Sequence, residues 1–121
     1  MNAPLLDLDQ LESFAAIGYE DYLELLSDVI RDIPGHLEGI RVSIEAGTTA
    51  ETKSRVHLFR GMLSYFGCVA LTDRLAELER HSEIAADQAA SIHAEIQQLW
   101  DRSFAAIKQW EISVPDFASK S

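Results

Sequence analysis

The sequence predicts an all-α fold, an antiparallel up-and-down four-helix bundle with a short additional N-terminal helix capping one end. Apolar residues recur at three- and four-residue steps through most of the 121-residue chain, the period of an amphipathic helix. Capping residues and glycines punctuate these stretches with short connections, and no run alternates cleanly as a half-buried strand does. Each apolar stripe needs neighbours to leave water, and helices joined this closely find them by packing as a bundle.

The first helix is short. Asp7 or Asp9 can cap it, with Gln10 or Glu12 three positions later as in a capping box, and Gly18 can end it. Leu8, Leu11, Phe14 and Ala15 form its apolar face. A long helix is then expected from Tyr19 to Ala46, with Tyr19, Tyr22, Leu23, Leu26, Val29, Ile30, Ile33, Leu37, Ile40 and Ile44 as its apolar positions. Pro34 lacks an amide hydrogen and Gly35 is flexible, so a kink or break is expected near Ile33.

Gly47 supplies the stop for that helix, and Thr48 with Glu51 forms a T-x-x-E capping box that starts the next, running toward Phe66 or Gly67. A further helix over about 70–85 buries Leu71, Leu75, Leu78 and Ala85. The last begins near Asp87 and buries Ile92, Ile96, Leu99, Phe104, Ile107 and Trp110. Pro115 and the polar end predict a flexible tail over 113–121, leaving a single-domain core at about 7–112.

Ten basic against twenty acidic residues give a formal charge of −10, which argues against general binding to nucleic-acid phosphates or anionic membranes and points to protein partners. The start MNAPLLDLDQLE lacks the positive region of a secretory signal, and no apolar run is long enough to span a bilayer. One cysteine, Cys68, cannot form an internal disulfide and suits a reducing compartment; a cytoplasmic monomer is the expectation.

The stretch VHLFRGMLSYFGCVAL, residues 56–71, sets one histidine among apolar residues. At about 100° per residue, Val56, Phe59, Met62, Leu63, Phe66 and Ala70 fall opposite His57, so the buried stripe turns the imidazole outward. Lys53, Arg60, Gly61 and Ser64 fall around it, with Leu58 and Tyr65 on the shoulder of the same face. Two cations beside an exposed imidazole can hold an anion that is attached to it or transferring to it. A lone surface histidine is ordinarily incidental, but Gly61 costs a helix interior roughly 1 kcal/mol relative to alanine, a cost that calls for a packing or access reason. Gly67 reads as a helix terminus, and Cys68 as a buried side chain without a base to activate it.

His57-Leu58-Phe59-Arg60-Gly61, followed by Gly67 and Leu71, resembles the signature of histidine-containing phosphotransfer domains. The likeness extends over roughly residues 8–80, taking in the acidic-capped first helix, the Leu25-Leu26 pair and Leu75-Ala76-Glu77-Leu78-Glu79. Two positions depart from the pattern: Arg60 stands where lysine is usual, and Met62 where serine is common. The resemblance implies that His57 accepts a phosphoryl group from a receiver-domain aspartyl phosphate and passes it to another receiver aspartate, with Arg60 stabilising charge. Gly61, Ser64, Lys53, Leu58 and Tyr65 would give access and docking. The partners implied are receiver domains of a hybrid sensor kinase or a response regulator, and the receiver would bring Mg²⁺ and a lysine, this chain binding no cofactor. The chain would be a phosphocarrier intermediate and not a kinase acting from ATP, since no nucleotide-binding motif accompanies the histidine.

Two other readings compete with this one. A metal-binding bundle needs inward Glu-x-x-His pairs, and His36, His81 and His93 fall in no such pattern, so no metal site is expected. A non-catalytic adaptor would bind a receiver or kinase through the same face without chemistry.

Overall fold

The computed structural model describes residues 4–81 and 83–115, and every regular element among them is helical. The order is α1 (Leu8–Ala15), α2 (Tyr19–Glu45), α3 (Thr49–Ser64) and α4 (Val69–Arg80), then a single 3₁₀ turn (Ala86–Gln88) and α5 (Ala89–Ser113). Most of the tail expected over 113–121 lies outside the described residues.

α1 starts as its sequence dictates. The Asp7 carboxylate accepts a hydrogen bond from the Gln10 amide at 3.2 Å, and Leu11 and Ala15 are buried while Leu8 stays exposed. Gly18 does not end it; Ala16 is the C-terminal cap, and Gly18, in extended backbone, precedes α2 as its N-cap.

α2 runs unbroken for 27 residues through Pro34, against the expectation of a possible break near Ile33. Ile30, whose carbonyl loses its helical donor at Pro34, and Pro34 itself both lie on the exposed side, where water can replace the missing bond. The helix stops at Gly47, which adopts φ +71°. The Gly47 amide donates to the Ile44 carbonyl and the Thr48 amide to the Ser43 carbonyl, the paired bonds of a Schellman motif. The T-x-x-E capping box does not form. The Thr48 hydroxyl turns back to donate to the Ser43 carbonyl at 3.0 Å, so Thr48 closes α2 instead of capping α3.

α2 meets α3 through a descending series of contacts. Ser43 Oγ bonds Thr52 Oγ1 at 2.7 Å, Arg55 lies over Gly39, His36 stacks on Phe59, and Tyr22 packs edge-on against Phe66. α4 ends at Arg80, five residues short of the expected boundary, because His81 takes an extended conformation; Ala85 is exposed and Ile84 packs on the core in its place. α5 contacts both α2 and α4 and buries Ile92, Ile96, Trp100, Ile107 and Trp110, with Leu99 and Phe104 only partly buried.

Gly67 turns the chain from α3 into α4 at φ +66°. Its carbonyl also accepts the Asp7 amide at 2.7 Å, and a Cβ added there would sit 2.3 Å from the Asp7 carbonyl oxygen. Gly67 therefore has two reasons to be glycine, a left-handed backbone and the close approach of the α1 cap; the sequence indicated only the first. Gly47 has the left-handed backbone with open space around it. Gly47→Ala should cost about 1 kcal/mol and Gly67→Ala about 2–3 kcal/mol in urea denaturation. Equal costs would show that the Asp7 contact adds nothing.

Candidate functional site

α3 is pinned by Thr52, Val56, Phe59 and Leu63, all buried on one side. The opposite side carries His57, whose side chain is 67% exposed. A residue held this way has little backbone freedom, yet its ring is open to an approaching molecule.

One ring nitrogen is already engaged. Nδ1 lies 2.7 Å from Oε1 of Glu79, which projects from α4. A carboxylate oxygen only accepts, so Nδ1 carries the hydrogen and donates it. In the neutral ring this leaves the lone pair on Nε2, the nitrogen farther from the backbone. Arg60 Nη2 lies 3.4 Å from the same Nδ1, but two donors cannot bond each other; its attraction is to Glu79, whose Oε2 it approaches at 3.1 Å as an ion pair. His57, Arg60 and Glu79 thus form one charge-linked group, with the carboxylate between imidazole and guanidinium.

Beside this group is an open recess walled by His57, Arg60, Gly61 and Ser64 from α3 and by Thr72, Asp73 and Ala76 from α4. A Cβ on Gly61 would meet nothing within 4 Å, so no packing contact explains this glycine. Ser64 Oγ donates to the Gly61 carbonyl at 2.7 Å and stays low against the helix.

The structure brings His57, Arg60, Gly61 and Ser64 together. Leu58 and Tyr65 are exposed, 60% and 56%, on the flank. Lys53 stands apart: half-buried, it lines a small cavity with Ser43, Thr52 and His81 and is not part of the recess wall. Gly67 is buried in the turn below the site.

Glu79 was not singled out from the sequence. Its signal was present in the hairpin: His57 and Glu79 are each eleven positions from Cys68, as Ser64 and Thr72 are each four from it, so equal counting from the turn pairs the two helices. Along α2, a second groove is lined by Phe14, Leu25, Val29, Met62, Tyr65 and Phe66 and is almost wholly apolar, with Asp28 at its edge.

Other reactive groups lie outside the recess. Cys68 is buried, and burial pushes its thiol up to about 12, so it stays protonated and inert near neutral pH. His36 stacks on Phe59, and no cluster of histidine, cysteine or acidic residues among the described residues is arranged to hold a metal ion. No helix among them is long and apolar enough to cross a membrane.

Comparisons with known proteins bear on the family of the chain. The family model described as Hpt domain matches residues 24–110, a span containing the whole His57 group. A search of curated proteins finds no match. Among solved structures, the chain is similar to the crystal structure of histidine-containing phosphotransfer protein B (HptB) from Pseudomonas aeruginosa PAO1. The two are 25% identical with a TM-score of 0.74, over 89% of this chain and 95% of that one. A family match over most of the helical core, joined to a structural likeness along nearly the full length, means that this chain belongs to the Hpt domain family.

Proposed function

We propose that this protein is a histidine phosphotransfer carrier of a multistep phosphorelay, and that His57 is its phosphoacceptor. The observation that carries this reading is the exposed imidazole whose Nδ1 is held by Glu79, leaving Nε2 free to attack. In the accepting step the Nε2 lone pair forms a bond to phosphorus as the bond to the receiver aspartate oxygen breaks. The electron pair of that bond leaves with the aspartate as its carboxylate.

The phosphorylated ring keeps its Nδ1 hydrogen and carries positive charge, which the Glu79 carboxylate offsets. In the donating step a carboxylate oxygen of a second receiver attacks phosphorus, the P–N bond breaks, and its electron pair returns to Nε2. A ring protonated at Nδ1 is the better leaving group, so the same hydrogen bond serves both directions. Arg60 supplies a fork of donors for the phosphoryl oxygens once it turns from Glu79 toward the recess.

Receiver domains of a hybrid sensor kinase or a response regulator are the partners of this reading. Mg²⁺, which neutralises phosphoryl charge in such transfers, would come with the receiver. Gly61 and Ser64 keep the approach to Nε2 low, and Leu58 and Tyr65 give an apolar flank. The reading includes a cytoplasmic monomer built as an antiparallel four-helix bundle of α2 to α5 with α1 over one end. The descending order of the α2–α3 contacts and the Asp7–Gly67 bond support that arrangement.

Receivers phosphorylated with a small-molecule phosphodonor should transfer acid-labile, base-stable label to the wild type and none to His57→Gln. Binding without label from any receiver would favour a non-catalytic adaptor. Arg60→Ala should slow transfer about tenfold, the scale of one charge-assisted hydrogen bond; an unchanged rate would remove Arg60 from the site.

Gly61→Ala separates stability from access. It should raise stability by about 0.5–1 kcal/mol, since the new methyl meets no neighbour and alanine is the better helix former. It should nevertheless slow transfer from receivers, and faster or equal transfer would deny Gly61 a role in access.

Glu79→Ala should move the neutral His57 ring from the Nδ1–H form toward the tautomer mixture of a free imidazole, read from its ¹⁵N shifts, and slow transfer on the order of tenfold. Glu79→Gln, whose side-chain oxygen can still accept from Nδ1, should restore the tautomer. A ring with unchanged ¹⁵N shifts in Glu79→Ala would rule out the positioning role.

A further inference from the structure

Residues 1–30 contain seven acidic residues and no lysine or arginine. Glu20, Asp21 and Glu24 are exposed at the start of α2, and none is in an ion pair among the described residues. On α2, Asp21, Leu25, Asp28 and Asp32 recur at steps of four, three and four, so they share one face. Leu25 and Asp28 of that face line the apolar groove, and Leu25, 45% exposed, lies between the Asp21 and Asp28 positions along the helix. Arg31, the first cation of the chain, contacts Asp28 at 3.1 Å and Asp32 at 3.3 Å, one positive charge between two negative ones, so the rim remains anionic.

The groove meets the His57 face at Tyr65. Tyr65 lines the groove, is 56% exposed on the shoulder of that face, and follows His57 by eight positions, about 12 Å along the helix axis. An interface of ordinary size covers about 800 Å² on each partner, enough to include both the imidazole and the groove.

We infer that the groove is a selectivity surface of the transfer complex and takes the face of a receiver domain whose apolar side chains are flanked by lysine or arginine. This rests on the phosphotransfer reading and adds to it the chemistry that separates fitting receivers from others. Tyr65 and Leu25 supply the apolar contact, and Asp21, Glu24 and Asp28 attract the basic flank and speed the encounter. A second copy of this chain does not fit the same groove, because it would bring the same acidic rim and a formal charge of −10 against its like.

The experiment measures second-order transfer rates to the full chain from a panel of receivers phosphorylated with phosphoramidate, at 50 and 500 mM NaCl. The receivers should rank by the basic residues around their phosphorylated aspartate, and the fastest should slow about tenfold in high salt. The triple variant Asp21→Lys, Glu24→Lys, Asp28→Lys should lose about tenfold at low salt against those receivers and be faster in high salt. The neutral triple Asp21→Asn, Glu24→Gln, Asp28→Asn should lose about threefold and tests the same charges should the reversed variant fail to fold. Rates indifferent to receiver charge, or unchanged in the neutral triple, would overturn the inference while leaving phosphotransfer intact. No transfer to the wild type from any receiver would overturn the phosphotransfer reading and this inference with it.

Discussion

The register of the α3–α4 hairpin is the constraint on which the site depends. The chain leaves α3 at Ser64, turns through Gly67 in the left-handed region and enters α4 at Val69. Because the turn has this length, Ser64 and Arg60 of α3 line one recess with Thr72 and Ala76 of α4, and His57 meets Glu79 at the same distance from Cys68. One residue more or fewer in the turn would rotate α4 by about 100° relative to α3 and carry the Glu79 carboxylate off the ring. α1 secures the same turn, since the Asp7 amide donates to Gly67 and the Ala70 amide to Leu5. The N-terminal segment therefore touches no reacting atom and yet braces the geometry of the ring.

The hairpin places an exposed imidazole on buried support. A phosphoryl donor carried by another folded domain cannot enter a deep pocket, so the acceptor must stand on a convex face. Ordinarily such a face leaves side chains mobile and solvated, which weakens positioning. Here Val56, Phe59 and Leu63 fix the backbone under His57, and Glu79, only 25% exposed, fixes the ring from the adjoining helix. The charges are divided in the same manner. Arg60 is compensated by Glu79 at rest, whereas Glu20, Asp21 and Glu24 at the start of α2 face outward with no ion pair among the described residues.

Much of this was legible in the sequence because it depends on period and on local stops. The three- and four-residue steps located the helices, and the outward direction of His57 followed from counting the buried stripe around α3. Misreadings arose where a residue's partner lies outside its own helix. Thr48 and Glu51 match a capping box, yet the Thr48 hydroxyl finds the Ser43 carbonyl at the end of the preceding helix. Pro34 suggests a break, but whether a lost backbone bond interrupts a helix depends on which side meets water, and Pro34 is on the wet side. α4 stops early because His81 turns extended, a choice its helical periodicity does not encode. Glu79 was overlooked because its meaning comes from a contact 22 residues away.

Gly61 and Gly67 show how one motif can join two different physical requirements. Gly67 is crowded, held in a backbone conformation that side chains avoid and pressed against the Asp7 carbonyl. Gly61 is open, in ordinary helical backbone with nothing within 4 Å of where a Cβ would stand. The folded chain alone accounts for the first and gives no reason for the second, which weakens its own helix. On the phosphotransfer reading proposed above, that cost is accounted for by what must occupy the space beside the imidazole. On that reading the free protein bears, at Gly61, the mark of a partner it does not contain.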